Sequence, residues 1–435
     1  MVYLHLREIT LRLVLVLVIL VGLLIPTCAA SVVERVVHNF SGGADGTSPT
    51  TGLVADSAGN MYGVTGGGGS TSQSLCATAG CGVAFRVSPR SDGQFDYQVI
   101  HTFCAHTDCA DGAYPSGGLI IDSAGNLYGA TIDGGSVPAC GGYGCGVVFE
   151  LSPDLSGGYT YKVLHVFAGG SQGAFPIDTL TLDSAGRLFG VTVGGGNGSG
   201  LIFMLSPNPQ GTRWKETVLY TFTGGHDGST PRGGMVFDRA GNLYGVTERG
   251  GIKNRDVCDL LTCGLIFELQ PRPDGSWTEK IVHYFDGYPD GAGPIGGPII
   301  DGADNLYVIT SEEGHDTWEF SPDGSGGWTQ TLIGDSGGGS YARLLMDGAG
   351  NLYGTTASCV SCGGTAFEFS PDGNGGWSET ILYAFCSLNL CLDGALSYAP
   401  LIQDSVGNLY GTADVGGRAG YGVVFELQTT SGQNQ

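Results

Sequence analysis

The chain has 435 residues, of which 79 are glycine, 41% are apolar and only 14% are charged. That length exceeds one ordinary compact core, so the apolar surface must be spread over several units; the apolar fraction also excludes a disordered linker. With 18 basic against 41 acidic residues the formal charge is −23, which repels polyanions, and no run of basic residues offers a local exception, so nucleic acid is not an expected partner.

Residues 1–30 are a segment of their own. Arg7 and Arg12 precede an apolar stretch of 13 residues, Leu13 to Ile25, followed by Pro26 and the small residues Thr27, Cys28, Ala29 and Ala30. A membrane-spanning helix needs about 20 apolar residues, so the pattern predicts a signal peptide cleaved after Ala29 or Ala30. Lipidation at Cys28 is the lesser option, because Thr27 suits it poorly. The mature chain is then expected to carry no transmembrane segment, to be secreted or held at the cell surface, and to be a monomer. Removing Arg7, Glu8 and Arg12 takes −23 to −24.

From residue 31 onward glycine is too frequent for helices, each costing up to about 1 kcal/mol there, and a repeat takes over. DSAGNMY begins at Asp56, DSAGNLY at Asp122, DSAGRLF at Asp183, DRAGNLY at Asp238, DGADNLY at Asp301, DGAGNLY at Asp347 and DSVGNLY at Asp404. The spacings are 66, 61, 55, 63, 46 and 57 residues, the length of a four-stranded unit with extended loops. In each unit a short apolar strand such as Gly118–Asp122 ends in the SAGN turn. A second strand starts at the Leu-Tyr pair, as in Leu127–Gly135. A third follows a variable loop, seen at Gly146–Leu151, Gly264–Leu269 and Gly422–Leu427. A fourth closes the unit at Tyr161–Phe167, Glu216–Phe222, Glu279–Phe285 and Glu379–Phe385.

The two ends complete each other. Glu34–Phe40 is a fourth-strand sequence with no unit ahead of it, and Gly422–Leu427 is a third strand with nothing after it. An N-terminal strand that supplies the outer edge of the last unit closes a ring and removes unpaired edges. The expectation is an all-β, seven-bladed β-propeller over residues 31–428, with a disordered tail at 429–435. The DxxGNLYGxT, GxxFELSP and ETxLYxF elements together resemble the bacterial tandem-repeat family known as GloVer, over residues 32 to 428. The resemblance implies export and this fold, and no established reaction; single DxxGNLY turns are also similar to NHL-type propeller repeats. Blade five departs from the pattern, with Val308 where glycine belongs.

Twelve cysteines after Cys28 fall into six close pairs: Cys76 with Cys81, Cys104 with Cys109, Cys140 with Cys145, Cys258 with Cys263, Cys359 with Cys362, and Cys386 with Cys391. Scattered in Gly-rich loops, they read as local disulfides and not as zinc ligands. No cofactor or metal is expected. Calcium at the repeated Asp is conceivable, but a sevenfold Asp at a hairpin is what turn chemistry predicts.

The loops from fourth to first strand and from second to third share one face, and they hold the cysteine pairs. A DG step before proline recurs there at Asp45, Asp111, Asp227, Asp290 and Asp393. That rim, with Tyr114, Arg232, Tyr341 and Arg343, is the expected ligand face, although repetition also fits simple turn chemistry. His38, His101, His165 and His283 share one strand position and read as blade packing. His106, His226 and His315 do not repeat. Gly194–Gly200 reads as a hairpin loop and not a phosphate loop, and the SPDGxGGW hairpins at Ser321 and Ser370 read as structural. Asn39 and Asn197 begin glycosylation sequons. The leading expectation is a non-enzymatic recognition or scaffold propeller for an extracellular glycan, peptide or protein. The alternative is a polymer-degrading lyase or hydrolase that uses His106, His226 or His315 as acid/base groups.

Overall fold

The computed structural model describes residues 32–135, 140–251, 263–312, 315–339, 341–357 and 363–429. The expected signal peptide, Cys258, Cys359, Cys362 and residues 430–435 lie outside them. Seven antiparallel sheets ring one axis as a seven-bladed propeller. In blade 2 the strands run from axis to rim as Ile120–Ile121, Leu127–Asp133, Val147–Pro153 and Tyr159–Val166. Third strands such as Val147–Pro153 and Leu265–Pro271 are buried along most of their length because neighbouring blades cover both faces. That double cover explains their near-continuous apolar sequence. No helix among the described residues is long and apolar enough to cross a membrane.

Closure takes the expected form. Val33–Asn39 pairs antiparallel with Val423–Gln428, with Val36 opposite Phe425 and Glu34 opposite Leu427. The fourth strand of every blade breaks register at one equivalent point, between Val36 and His38 in the closing strand and between Val163 and His165 in blade 2. Such a bulge re-aims the residues beyond it. It lets His38, His101, His165, Tyr220, His283 and Tyr383 lean into the seam with the next blade, where His38 stacks on Tyr97 at 3.8 Å and His101 on Tyr161 at 3.9 Å.

Turn chemistry accounts for the repeated Asp. The Asp122 Oδ1 accepts from the Ala124 and Asn126 amides at 2.9 Å, while Oδ2 accepts from the Asn126 side chain at 2.9 Å and the Tyr128 hydroxyl at 3.0 Å. The same net of donors recurs at Asp56, Asp301, Asp347 and Asp404. In blades 3 to 6 a hairpin tryptophan packs on the blade before, as Trp214 on Tyr128 at 6.2 Å and Trp328 on Tyr244 at 5.8 Å. Between blades the fully buried rings Phe40, Phe103, Phe167, Phe222, Phe285 and Phe385 take one equivalent place each.

Candidate functional site

First strands line the axis, so the residues just before each turn Asp face the central channel. Aligned on that Asp, the residue five positions earlier is Thr51, Gly117, Asp178, Gly233, Gly296, Ala342 and Ala399 in blades 1 to 7. The residue four positions earlier is Gly52, Gly118, Thr179, Gly234, Gly297, Arg343 and Pro400. Small residues are required here because neighbouring first strands nearly touch. A Cβ on Gly117 would lie 1.9 Å from the Asp178 carbonyl oxygen, and one on Gly297 1.7 Å from that of Gly233. Two positions break the rule, and they carry opposite charges.

The channel holds a cavity of about 360 Å³ to which all seven blades contribute, with Asp178, Tyr341, Arg343 and Tyr398 among its lining. Arg343 enters from blade 6, and a terminal nitrogen reaches to within 4.0 Å of where a Cβ on Gly234 of blade 4 would stand. Its side chain is partly buried, its Nε is closed off from solvent without a hydrogen-bond partner, and burial alone lowers its pKa to about 10. Among the described residues it forms no ion pair. Asp178 holds a left-handed φ of 62° and accepts from the Gly233 amide at 2.8 Å. Burial raises its pKa above the ordinary carboxylate value, against the opposing pull of nearby Arg232. Arg232 itself donates to Glu248 at 2.8 Å. Tyr341 and Tyr398 meet edge to face at 5.5 Å on the wall.

Two lining hydroxyls are engaged, with Thr51 donating to Val64 and Ser116 to Pro176. Among the groups that line the cavity are one cation without an ion pair to the described residues, one carboxylate and two aromatic rings. A charge held out of water without a partner is costly.

The DG aspartates sit differently. Each carboxylate caps its own fourth-to-first loop. Asp393 accepts from the Ser387 amide and the Tyr383 hydroxyl, both at 2.8 Å, and Asp227 from the Thr223 amide at 2.8 Å. Asp290 accepts from the Asp286 amide at 3.0 Å, from His283 at 3.0 Å and from Gln330 at 2.6 Å. Burial would raise Asp290, but those donors hold it below its ordinary value. Asp45 takes the Ser41 amide and hydroxyl, with His38 at 3.5 Å; Asp111 takes the Ala105 and His106 amides, with His101 at 3.2 Å. Asp111 and Asp393 are buried. None of the five lines the channel cavity.

Of the expected face, Tyr341 and Arg343 line the cavity and Arg232 stands beside Asp178, whereas Tyr114 donates to the Leu75 carbonyl at 2.8 Å in a separate cluster. His106 lies on the loop from blade 1 to blade 2, His226 on that from blade 3 to blade 4, and His315 on the second-to-third connection of blade 5. No hydrogen bond or ring contact among the described residues joins one of these histidines to another.

Disulfides join Cys76 to Cys81, Cys104 to Cys109, Cys140 to Cys145 and Cys386 to Cys391, and Cys263 is also disulfide-bonded. The first two converge in space, with the sulfurs of Cys76, Cys104 and Cys109 within 4.8 Å of one another. Both belong to one buried cluster with Ala113, Leu75 and Tyr114. As disulfide sulfurs they offer no thiolate to a metal.

Solved structures share the ring at low identity. A periplasmic gluconolactonase from Pseudomonas aeruginosa is 13% identical with a TM-score of 0.52, over 77% of this chain and 85% of its own. A Lactobacillus plantarum protein is 15% identical with a TM-score of 0.52, over 77% and 84%. A fungal alcohol oxidase in complex with copper is 12% identical with a TM-score of 0.53, over 92% and 76%. At such identity a gluconolactonase and an alcohol oxidase show the fold alone. Among curated proteins no sequence match was found. The model of the Gloeobacter/Verrucomicrobia repeat matches residues 26–257 and 261–435, and the chain belongs to that family.

Proposed function

We propose that the chain is an exported recognition propeller that holds a small anionic ligand in its central channel. The observation that carries this reading is Arg343, whose Nε is closed off from solvent and which has no carboxylate partner among the described residues, in a cavity to which every blade contributes. An incoming carboxylate or phosphate would meet its fork of N–H donors. Asp178 on the opposite wall would accept from a ligand hydroxyl, and the edge-packed Tyr341 and Tyr398 would cover an apolar face. The apolar stretch at residues 13–25, the small residues after it and the disulfides support export. Binding without turnover is favoured because His106, His226 and His315 stand on separate connections.

Titration calorimetry with gluconate, glucuronate, citrate and phosphate, and with glucose as the neutral control, tests the reading. At least one anion binds the wild type, and Arg343→Met removes that binding. If no anion binds, or Arg343→Met binds as tightly as the wild type, the reading falls. A chemical product appearing during incubation would replace recognition by catalysis.

A further inference from the structure

On the face opposite the disulfide loops, the fourth strand of each blade opens at a position that meets the blade before. Phe95, Tyr159, Trp214, Trp277, Trp328 and Trp377 hold this position in blades 1 to 6. Each ring lies edge to face on an aromatic residue near the start of the previous blade's second strand, with centroids 5.8 to 6.4 Å apart. Blade 7 breaks the series. Its third and fourth strands come from opposite ends of the chain, and the pairing of Val33 with Gln428 puts Val32 in the aromatic position. Tyr353 of blade 6, the residue such a ring would cover, therefore packs in one cluster with Val32 and meets no ring of blade 7.

A cavity of about 570 Å³ opens at that place, within the range of roughly 300–1,000 Å³ common to ligand pockets. Val32, Tyr353, Ile381 and Leu382 line it, Asp347 and Glu368 add carboxylates, and among the described residues no lysine, arginine or histidine does so. Asp347 is held by the amides and side chains of its own turn. Glu368 uses Oε1 to accept from the Tyr353 hydroxyl at 3.3 Å and the Ser370 hydroxyl at 2.9 Å, and it forms no ion pair with the described residues. The equivalent glutamates of blades 2, 4 and 7 do form one, Glu150 with Lys162, Glu268 with Lys280 and Glu426 with Arg35. Opposite Glu368 the fourth strand carries Thr380 instead. Blade 5 has the same exchange, Glu319 against Thr331, but Trp377 occupies its seam with blade 6.

We propose that this cavity binds an aromatic ring that carries an amine, with the ring set against Tyr353 as in the other six seams and the ammonium turned to Glu368. The filled seams argue for the ring, because the same scaffold accepts one at every other join. Two carboxylates and no cation in the lining argue for an aromatic amine over an aromatic acid. The flanking segments, residues 26–31 and 430–435, contain no aromatic residue that could supply the ring from the chain itself. A free arylalkylamine and a tryptophan beside a lysine in a peptide share this chemistry. The cavity has no lining residue in common with the channel and does not depend on Arg343.

The test is calorimetry on the purified protein with tryptamine, the tripeptide glycyl-tryptophyl-lysine, indole-3-acetate and hexylamine. Tryptamine or the tripeptide binds, and the arm that responds tells a free amine from a peptide side chain. Indole-3-acetate keeps the ring and reverses the charge, while hexylamine keeps the charge and lacks the ring; each binds at least about tenfold more weakly. Val32→Trp closes the slot with the residue that blades 3 to 6 carry, and it removes the binding. Glu368→Gln keeps an oxygen for Tyr353 and Ser370 but loses the charge, and it weakens binding by about tenfold or more. The proposal is overturned if neither aromatic amine binds, if indole-3-acetate or hexylamine binds equally, or if either folded variant binds like the wild type. Arg343→Met leaves this binding unchanged, which separates its failure from that of the channel.

Discussion

Phe40 offers a direct energetic test of ring closure because the molecule contains its own control. Phe40 follows the closing strand, and Phe103 follows the fourth strand of blade 1 at the equivalent place. Both are fully buried. Phe40 meets His38 at 4.9 Å and Phe85 at 5.5 Å, and its amide donates to Gly422 at 3.1 Å. Phe103 meets His101 at 4.9 Å and Phe149 at 5.1 Å, and its amide donates to Gly82 at 3.1 Å. A buried Phe→Ala change costs about 3–5 kcal/mol, from lost transfer energy and the cavity left behind. With matched surroundings, Phe40→Ala and Phe103→Ala should cost the same within about 1 kcal/mol. At roughly 2 °C per kcal/mol for a chain of this size, each lowers the melting temperature by roughly 6–10 °C. Urea denaturation and calorimetry read both. If Phe40→Ala matches the wild type while Phe103→Ala loses several kcal/mol, the N-terminal strand does not close the ring, and the energetic argument fails.

Arg343→Met should raise stability by about 1 kcal/mol or more, read as a higher melting temperature, because it removes a charge held out of water without a partner; a fall would show that Arg343 has a structural partner. Burial pushes Glu34, Glu216 and Glu279 up to about 7. The folded chain therefore holds protons that the unfolded chain releases near pH 4.5, so this stabilisation is complete below pH 4.5 and is lost as pH rises through 7. The full displacement would be worth at most ~3 kcal/mol each, reduced to about 1 because all three stay partly open to water. The melting difference between wild type and the triple Gln variant should fall between pH 5 and 8, and a flat difference would refute it. His165 works in the opposite direction: burial lowers it to about 4, so its contribution is lost as pH falls below 6.5. Replacing Cys104 and Cys109 by serine should cost only about 2 kcal/mol, because the loop they close is short; unfolding on reduction would show that the disulfides carry the fold.

Much of the architecture was legible because a repeat reports itself. DxxGNLY marked each turn, and the strand count per unit followed from it. The unpaired fourth-strand sequence at Glu34 and the unpaired third strand at Gly422 together implied the pairing later seen between Val36 and Phe425. The channel was half legible. Arg343 and Tyr341 stood out as unrepeated, but Asp178 was missed, although counting back five residues from each turn Asp sets it against glycine, alanine and threonine. The DG aspartates drew attention by recurring, and the structure shows what their oxygens bind: the amides of their own loops.

A symmetric ring gives an internal standard for separating structure from function. Whatever packing and turn chemistry require of one blade they require of all seven, so a residue present in every unit is explained by the fold. Residues that break the pattern need a local reason. Val308 has one, since it pairs with Trp318 where other blades set glycine against phenylalanine. Arg343 has no compensating partner of that kind among the described residues. It converges with Asp178 on the channel cavity. Selection for stability would neutralise such a position, because a cation held out of water without a partner costs free energy. Its coincidence with that cavity is therefore the physical ground for placing a ligand there, and the ligand class follows from the charge that the fold leaves unanswered.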